Sequence, residues 1–445
     1  MSMTGCQEGM AMGDAEKTPL AKAEDMVTKL YEFRDLYYDK FGLDRARLKN
    51  EDVKSRMSET VEALDVLQGQ ISNKAIFHML KGKALNVLPA YDGKAQEALS
   101  KAVKLDPKLV EAWNNLGECY WKCEDIVAAK NCFTGALNYS KNKVSLRNLS
   151  MVLRQLSGSP TERAKLIEES VEKAKEAVQL DIKDGSSWVI LGNAHLSMFF
   201  AGGQHPKSLK QALSAYAQAE KDPISRNNPD LHYNRSVMYK YQEEYQLALE
   251  GFARAGALDP SWPEPGNMVK QVLAYLQQVS DLISTKGKMK AKRLQSLCQS
   301  ISESDLGPYG GGSYTSPKGK TIKLTKVLFS SLQPELNAEK VVVGKVVCTV
   351  ASEDVVPFTF CMADEAEMCL YVSVYNMIPG FGVKIGDSVA IPEPFLQVVS
   401  VHHKDKGFHF HGIRVDSPVV LVINGLKQGL DKQAPMVLAV SAVSD

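Results

Sequence analysis

The chain has 445 residues, 44% of them hydrophobic, with 53 Lys plus Arg against 52 Asp plus Glu. A formal charge of +1 supplies no long-range field toward nucleic acid or anionic lipid, so specificity must come from local groups. The length allows two or three domains, and eight cysteines without a CxxC pair fit reduced packing residues better than a disulfide or metal framework.

Residues 1–18 have neither a basic start nor an apolar core, which predicts a disordered N-terminus and no signal peptide. No apolar run is long enough to span a bilayer, so an intracellular protein without membrane contact is expected. Between 19 and 68, Leu20, Met26, Leu30, Phe33 and Tyr37, then Val53, Met57, Val61, Leu64 and Leu67, recur at helical intervals and predict a helical leader.

From 69 to 300 a longer pattern repeats. It is clearest from Val110 to Lys143, with Trp113, Leu116, Gly117 and Tyr120 on one amphipathic segment and Ala129, Phe133 and Ala136 on the next. This is the ~34-residue helix pair of a tetratricopeptide repeat. Ala95, Leu99, Ala102 and Pro107 belong to a degenerate copy before it. Leu146, Leu149, Ser150 and Leu153 open a later one, and Trp188, Leu191, Gly192 and His195 another, lengthened by FAGGQHPK. Tyr239, Ala248, Phe252, Ala255 and Pro260 mark the last copy, and a capping helix follows WPEP.

Stacked repeats of this kind line a concave groove with their first helices. Counting positions places Arg147 and Arg154, Asn193, Asp230 and Glu264 among the groove residues. The guanidinium groups suit a ligand carboxylate and the two acids a ligand cation, so a peptide carrying both charges would fit. Arg154 is expected to be a binding contact with no part in core packing. Solenoid surfaces are open to water and cannot desolvate reacting groups, so binding is expected and enzymatic activity is not.

Lys286, Lys288, Lys290, Lys292 and Arg293 form the densest charge run, read either as a partner patch or as a solvated helix end. Residues 301–320 are rich in Gly, Ser and Pro and predict a linker. Residues 321–430 switch to short runs such as VVVGKVVCTV and CLYVSVYN, which predict a small all-β barrel of the oligonucleotide/oligosaccharide-binding type, with 431–445 as a tail. The fold class is therefore mainly α, a repeat superhelix followed by a barrel. Acids outnumber bases in the barrel region, which opposes a phosphate track and favours a protein-binding or bracing role. His402, His403, His409 and His411 flank one hairpin, and alternation turns His409 and His411 away from Phe408 and Phe410 toward water, so neither metal nor cofactor is expected.

The runs ALSKAVKLDP, EAWNNLG, NKVSLRNLSMVLRQL, NPDLHYNR, DPSWPEP and IGDSVAIPEP resemble the tetratricopeptide repeat protein five family, the stress-responsive cofactor Strap family, over nearly the whole chain after Pro19. The resemblance implies recognition of the N-terminal peptide of nascent α/β-tubulin, beginning Met-Arg-Glu, at the 60S exit region of the ribosome. Recruitment of a decay effector for tubulin messenger RNA would follow. It also implies an alternative, a transcription cofactor scaffold for acetyltransferase coactivators and p53-type stress responses. By motif, the family's peptide-reading residues fall on Arg154, Asp230 and Glu264, and its ribosome-facing lysines on Lys101 and Lys104. A monomer acting in cytoplasm and nucleus is the corresponding expectation.

Overall fold

The computed structural model describes residues 18–201, 204–315, 319, 321–351 and 357–434. The expected disordered N-terminus, save residue 18, and the last eleven residues of the expected tail lie outside the described residues. The chain forms two compact units, one reaching to Leu191 and including Asp222–Asn227, the other made of Gly192–Lys221 and everything from Asn228 onward.

In the first unit, α1 (Pro19–Asp35), α2 (Tyr37–Phe41) and α3 (Lys49–Leu67) precede the helix pairs α4 (Lys74–Leu85) with α5 (Gly93–Leu105), α6 (Val110–Lys122) with α7 (Ile126–Tyr139), and α8 (Lys143–Gln155) with α9 (Pro160–Leu180). Local sequence sets the starts. Asp92, Asp125 and Asn142 accept backbone N–H groups as caps, and Ser159 with Glu162 closes a reciprocal capping box ahead of Pro160. Within α6 and α7, a Cβ added at Gly117 would lie 2.6 Å from the Phe133 ring, so the close approach of the pair depends on the missing side chain. Helix α10 (Gly185–Ala201) begins in this unit and ends in the next.

The second unit continues with α11 (Pro206–Ala219), the pair α12 (Pro229–Tyr241) and α13 (Tyr245–Leu258), the long helix α14 (Glu264–Ser284) and the short α15 (Ala291–Gln299). It then forms the strands β1 (Lys340–Thr349), β2 (Phe358–Ala363), β3 (Cys369–Val374), β4 (Ser388–Pro392), β5 (Phe395–His403) and β6 (Lys406–Val415). Strand β1 pairs antiparallel with β2, β2 with β3, and β3 runs parallel to β6, which pairs with β5. The circuit closes because β4 and β5 are one strand broken at Glu393 and Pro394, and β4 turns back onto β1. That is the strand order of the oligonucleotide/oligosaccharide-binding barrel. Proline at the break removes a ladder donor where the strand must change partners. Gly412 in β6 admits the neighbouring Tyr371, whose ring would lie 1.9 Å from a Cβ there.

The barrel has two apolar faces. Its interior packs Val342, Val346, Phe360, Met362, Leu370, Val372 and Ile413. Its outer face over β1 to β3, carrying Val347, Cys348, Cys361, Ala363, Cys369 and Tyr371, shares a second cluster with Tyr245, Leu249, Val272, Leu276 and Val279 of α13 and α14 and with Leu294 and Cys298 of α15. Barrels of this type bind ligands over strands two and three; here the chain's own helices cover that surface. Polar contacts fix the register, from the His402 N–H to Gln246 Oε1 at 2.9 Å and between Tyr275 and Thr359 hydroxyls at 3.1 Å.

The described part of 301–320 departs from the expected linker. Glu303–Tyr309 forms a 3-10 turn whose Leu306 and Tyr309 are 1% exposed, packed with Val341, Val343 and Val422 of the barrel. The Gly, Ser and Pro content that reads as flexible includes two large apolar side chains, and their burial outweighs the composition.

A single carboxylate lies at the centre of the helix and barrel contact. Glu243, between α12 and α13, is 2% exposed and accepts from Tyr371 Oη at 2.9 Å, Tyr375 Oη at 3.0 Å and the Ser373 hydroxyl. Arg414 Nη1 stands 3.6 Å from it, donates to the Tyr241 carbonyl at 2.7 Å, and its guanidinium lies 3.9 Å over the Tyr375 ring. Burial first, then the Glu243 charge, pushes Tyr371 and Tyr375 well above the usual phenol range, so both remain donors. Glu243→Ala would leave three hydroxyls without their acceptor and Arg414 with only Asp416, 2.8 Å from its Nε, and is expected to destabilise the second unit by about 3 kcal/mol. Paired Glu243→Leu and Arg414→Met should lose less than the sum of the singles. Urea unfolding followed by amide exchange in β3 measures both, and strict additivity would show that the two groups do not act as a pair.

Candidate functional site

Several polar residues of the first helices bond to one another. In the first unit Lys83 of α4 meets Glu111 of α6 at 2.6 Å, Ser145 of α8 donates to Asn114 of α6 at 2.6 Å, and Trp121 Nε1 donates to Gln155 at 3.0 Å. Each bond ties one first helix to the next. The same holds in the second unit, where Asn193 Oδ1 accepts from Asn234 at 3.1 Å and from Tyr216 Oη at 2.8 Å. Asn193, a predicted groove residue, is thus 2% exposed and serves the stacking of helices.

Arg147 and Arg154 differ from each other. Arg147 donates to Asp184 at 3.1 Å, and Lys143 reaches the same carboxylate at 3.3 Å and Asp181 at 2.7 Å. Asp184 also accepts from the Ser187 N–H at 3.1 Å and from the Ser187 hydroxyl. Arg154 is 9% exposed, and its Nη1 donates to the Ser150 carbonyl at 3.1 Å, Ser150 Oγ at 3.1 Å and Ser170 Oγ at 3.0 Å in the seam between α8 and α9. The expectation that Arg154 takes no part in packing is therefore corrected. Two small buried serines make the space and supply the oxygens that hold the guanidinium in one pose.

In the second unit, Asp230 and Glu264 occupy the first turns of α12 and α14, one repeat period apart. Asp230 is half-buried behind the Asn228 cap and Glu264 is exposed. Both stand at helix N-termini, where the backbone N–H groups favour negative charge. Between them in sequence, Tyr233 stands 4.7 Å from the Trp262 ring.

Lys101 and Lys104 lie exposed on α5, a second helix, with Lys101 paired to Glu97 at 2.7 Å. The basic run is not a plain helix end. Lys286, Gly287 and Lys288 all take positive φ values of 48°, 67° and 58°, and a Cβ at Gly287 would come 2.8 Å from the Val347 carbonyl of β1. The turn is pinned to the barrel, with Lys288, Lys290, Lys292 and Arg293 exposed and Lys286 3.7 Å from Glu367. In the histidine hairpin, Phe408 and Phe410 are buried, while His409 and His411 lie on the other face with rings 5.7 Å apart. No group of three or more His, Cys, Asp or Glu among the described residues could hold a metal ion, and no helix among them is long and apolar enough to cross a membrane.

Sequence reasoning missed the Glu243 cluster. The signal was available at the end of β3, where Tyr371, Ser373 and, just past the strand, Tyr375 alternate as three hydroxyls on one outward face, a pattern that requires an acceptor.

Asp184 carries a pH signature. Burial alone would raise its carboxyl, but Arg147, the Ser187 hydroxyl and Lys143 together hold it below the usual carboxylate range. Its contribution is fully present above its unfolded value of about 3.9 and is lost as pH falls through the lower folded value. Asp184→Asn should lower the melting temperature at pH 7 and flatten its decline below about pH 4. Parallel melting curves from pH 7 to pH 3 would show that the ion pairs contribute nothing.

Residues 323–437 match a family model described as the Tetratricopeptide repeat protein 5 OB fold domain, and residues 110–143 match the Tetratricopeptide repeat. The chain is 50% identical over 433 residues to Tetratricopeptide repeat protein 5 of Bos taurus, covering 97% of this chain and 98% of that one. The Homo sapiens protein of the same name is 49% identical over 433 residues with the same coverage, and that of Mus musculus 49% identical with 96% of this chain covered.

Proposed function

The chain belongs to the tetratricopeptide repeat protein 5 family, and on that premise we propose that it is an adaptor that reads the N-terminal peptide of nascent tubulin at the ribosome and starts decay of tubulin messenger RNA. The repeat and barrel folds are those of a protein-binding scaffold. The observation that carries the finer reading is the pair Asp230 and Glu264, two carboxylates one repeat period apart in the first turns of α12 and α14. That pair suits a guanidinium, the second side chain of a peptide beginning Met-Arg-Glu. Arg154 and Arg147 of α8 are the candidates for a ligand carboxylate, one of them oriented by serines and the other by Asp184. The pinned basic turn at Lys286 to Arg293 is the surface offered to the decay effector.

Calorimetric titration of the full chain with the peptide tests the site. Asp230→Ala and Glu264→Ala should each weaken binding by about 2 kcal/mol, roughly thirtyfold, and replacing the peptide's arginine by glutamate should abolish it. Unchanged affinity in both variants would sink the assignment. Arg154→Ala is the poorer probe, since it also empties the seam between α8 and α9.

Lys101 and Lys104 are proposed to meet ribosomal RNA phosphates. Charge reversal of both should reduce co-sedimentation with ribosome–nascent chain complexes while leaving affinity for free peptide unchanged. Equal loss of both would mean that the lysines support the fold. A chain that never co-sediments with ribosomes carrying a tubulin N-terminus would favour the transcription cofactor reading instead.

A further inference from the structure

Three buried thiols of the barrel stand together on the face that α13 to α15 cover. The pairing of β1 with β2 slips between Val346 and Cys348, and the slip brings Cys348 directly opposite Cys361. Opposed residues of an antiparallel pair have Cα atoms about 4.5–5.5 Å apart, inside the roughly 4.4–6.8 Å that a disulfide spans. Cys348, Cys361 and Cys369 belong to one buried cluster together with Cys298 of α15. All four are buried, and none is used by the peptide-binding proposal.

We propose that Cys348 and Cys361 form an oxidation site, closing to an intramolecular disulfide when the protein meets a hydroperoxide. The thiol hydrogen bond from Cys361 favours the Cys348 thiolate and draws that group below the usual thiol range, against the effect of burial, while Cys361 is itself pushed up. Cys348, at 7% exposure the less buried of the two, is the attacking sulfur and fully buried Cys361 the resolving one. The Cys348 thiolate takes the terminal hydroxyl of the hydroperoxide, the O–O bond breaks, and the departing alkoxide or hydroxide is protonated by solvent. The Cys361 sulfur then attacks the sulfenic sulfur, the S–S bond forms, and the S–O oxygen leaves as water with the Cys361 proton. Two electrons pass from the thiol pair to the peroxide.

The site has a lever. A Cβ at Gly287 would lie 3.1 Å from Cys348 Sγ, so the turn carrying Lys286 and Lys288 rests on the sulfur that must move. Oxidation in the barrel thus reaches the basic surface.

Full-length protein treated with hydrogen peroxide, quenched with iodoacetamide and mapped under non-reducing conditions tests the pair. Exposed Cys123 serves as the internal reference for a surface thiol. The expected result is a linked Cys348 and Cys361 peptide that dithiothreitol separates, with amide exchange across residues 286–293 altered severalfold by oxidation. In Cys361→Ser, dimedone should trap a sulfenic acid on Cys348 that the native protein does not accumulate, and the exchange change should vanish. Cys348 and Cys361 remaining alkylatable after unfolding, in samples where Cys123 is oxidised, would overturn the proposal. A bridge from Cys361 to Cys369 in place of Cys348 would overturn it equally. The native map decides the matter even if the variant fails to fold.

Discussion

The Glu243 carboxylate decides how the second unit is built. A buried anion is costly unless hydrogen bonds and a cation surround it, and here the hydroxyls of Tyr371 and Ser373 in β3 and of Tyr375 just past it, with the Arg414 guanidinium of β6, do so. The residue sits at a φ of 63°, in the turn where a helix pair ordinarily uses glycine. An acidic side chain there is disfavoured by the backbone and by burial alike, and persists because the surrounding groups over-determine its position. The repeat and the barrel are therefore specified together: the turn needs the strand's hydroxyls, and the hydroxyls need the turn's acid.

The same economy runs through the helices. Side chains that a position count assigns to an open surface turn out to bridge neighbouring first helices, as Asn193 with Asn234 and Asn114 with Ser145 do. A ligand at such a surface meets groups whose directions are already fixed. Little side-chain entropy then remains to be lost on binding, which suits a short peptide with few contacts to offer.

The sequence made the repeats legible because their apolar spacing is periodic, and the barrel legible because its strands alternate. Charges at Asp230 and Glu264 were legible for the same reason, since the repeat period fixes where a first turn begins. Arg154 was not. Its burial depends on Ser150 and Ser170 being small at two positions of different helices, a condition that no single helix displays. The linker reading of 301–320 failed because composition averages over Leu306 and Tyr309, while packing depends on those two residues individually. The alternating hydroxyls at Tyr371, Ser373 and Tyr375 call for an acceptor, but Glu243 lies more than a hundred positions away and nothing local names it as that partner.

The helices that cover the barrel's outer face are, in turn, covered by it. A chain ending before the barrel would expose Leu249, Val272, Leu276 and Val279 as one contiguous apolar surface, of the kind that soluble monomers avoid. Premature termination beyond the last repeat would then yield not a smaller working adaptor but a sticky fragment for chaperones and proteases. The barrel follows the helices in the chain, so that surface stays open until the barrel has been made and folded against it.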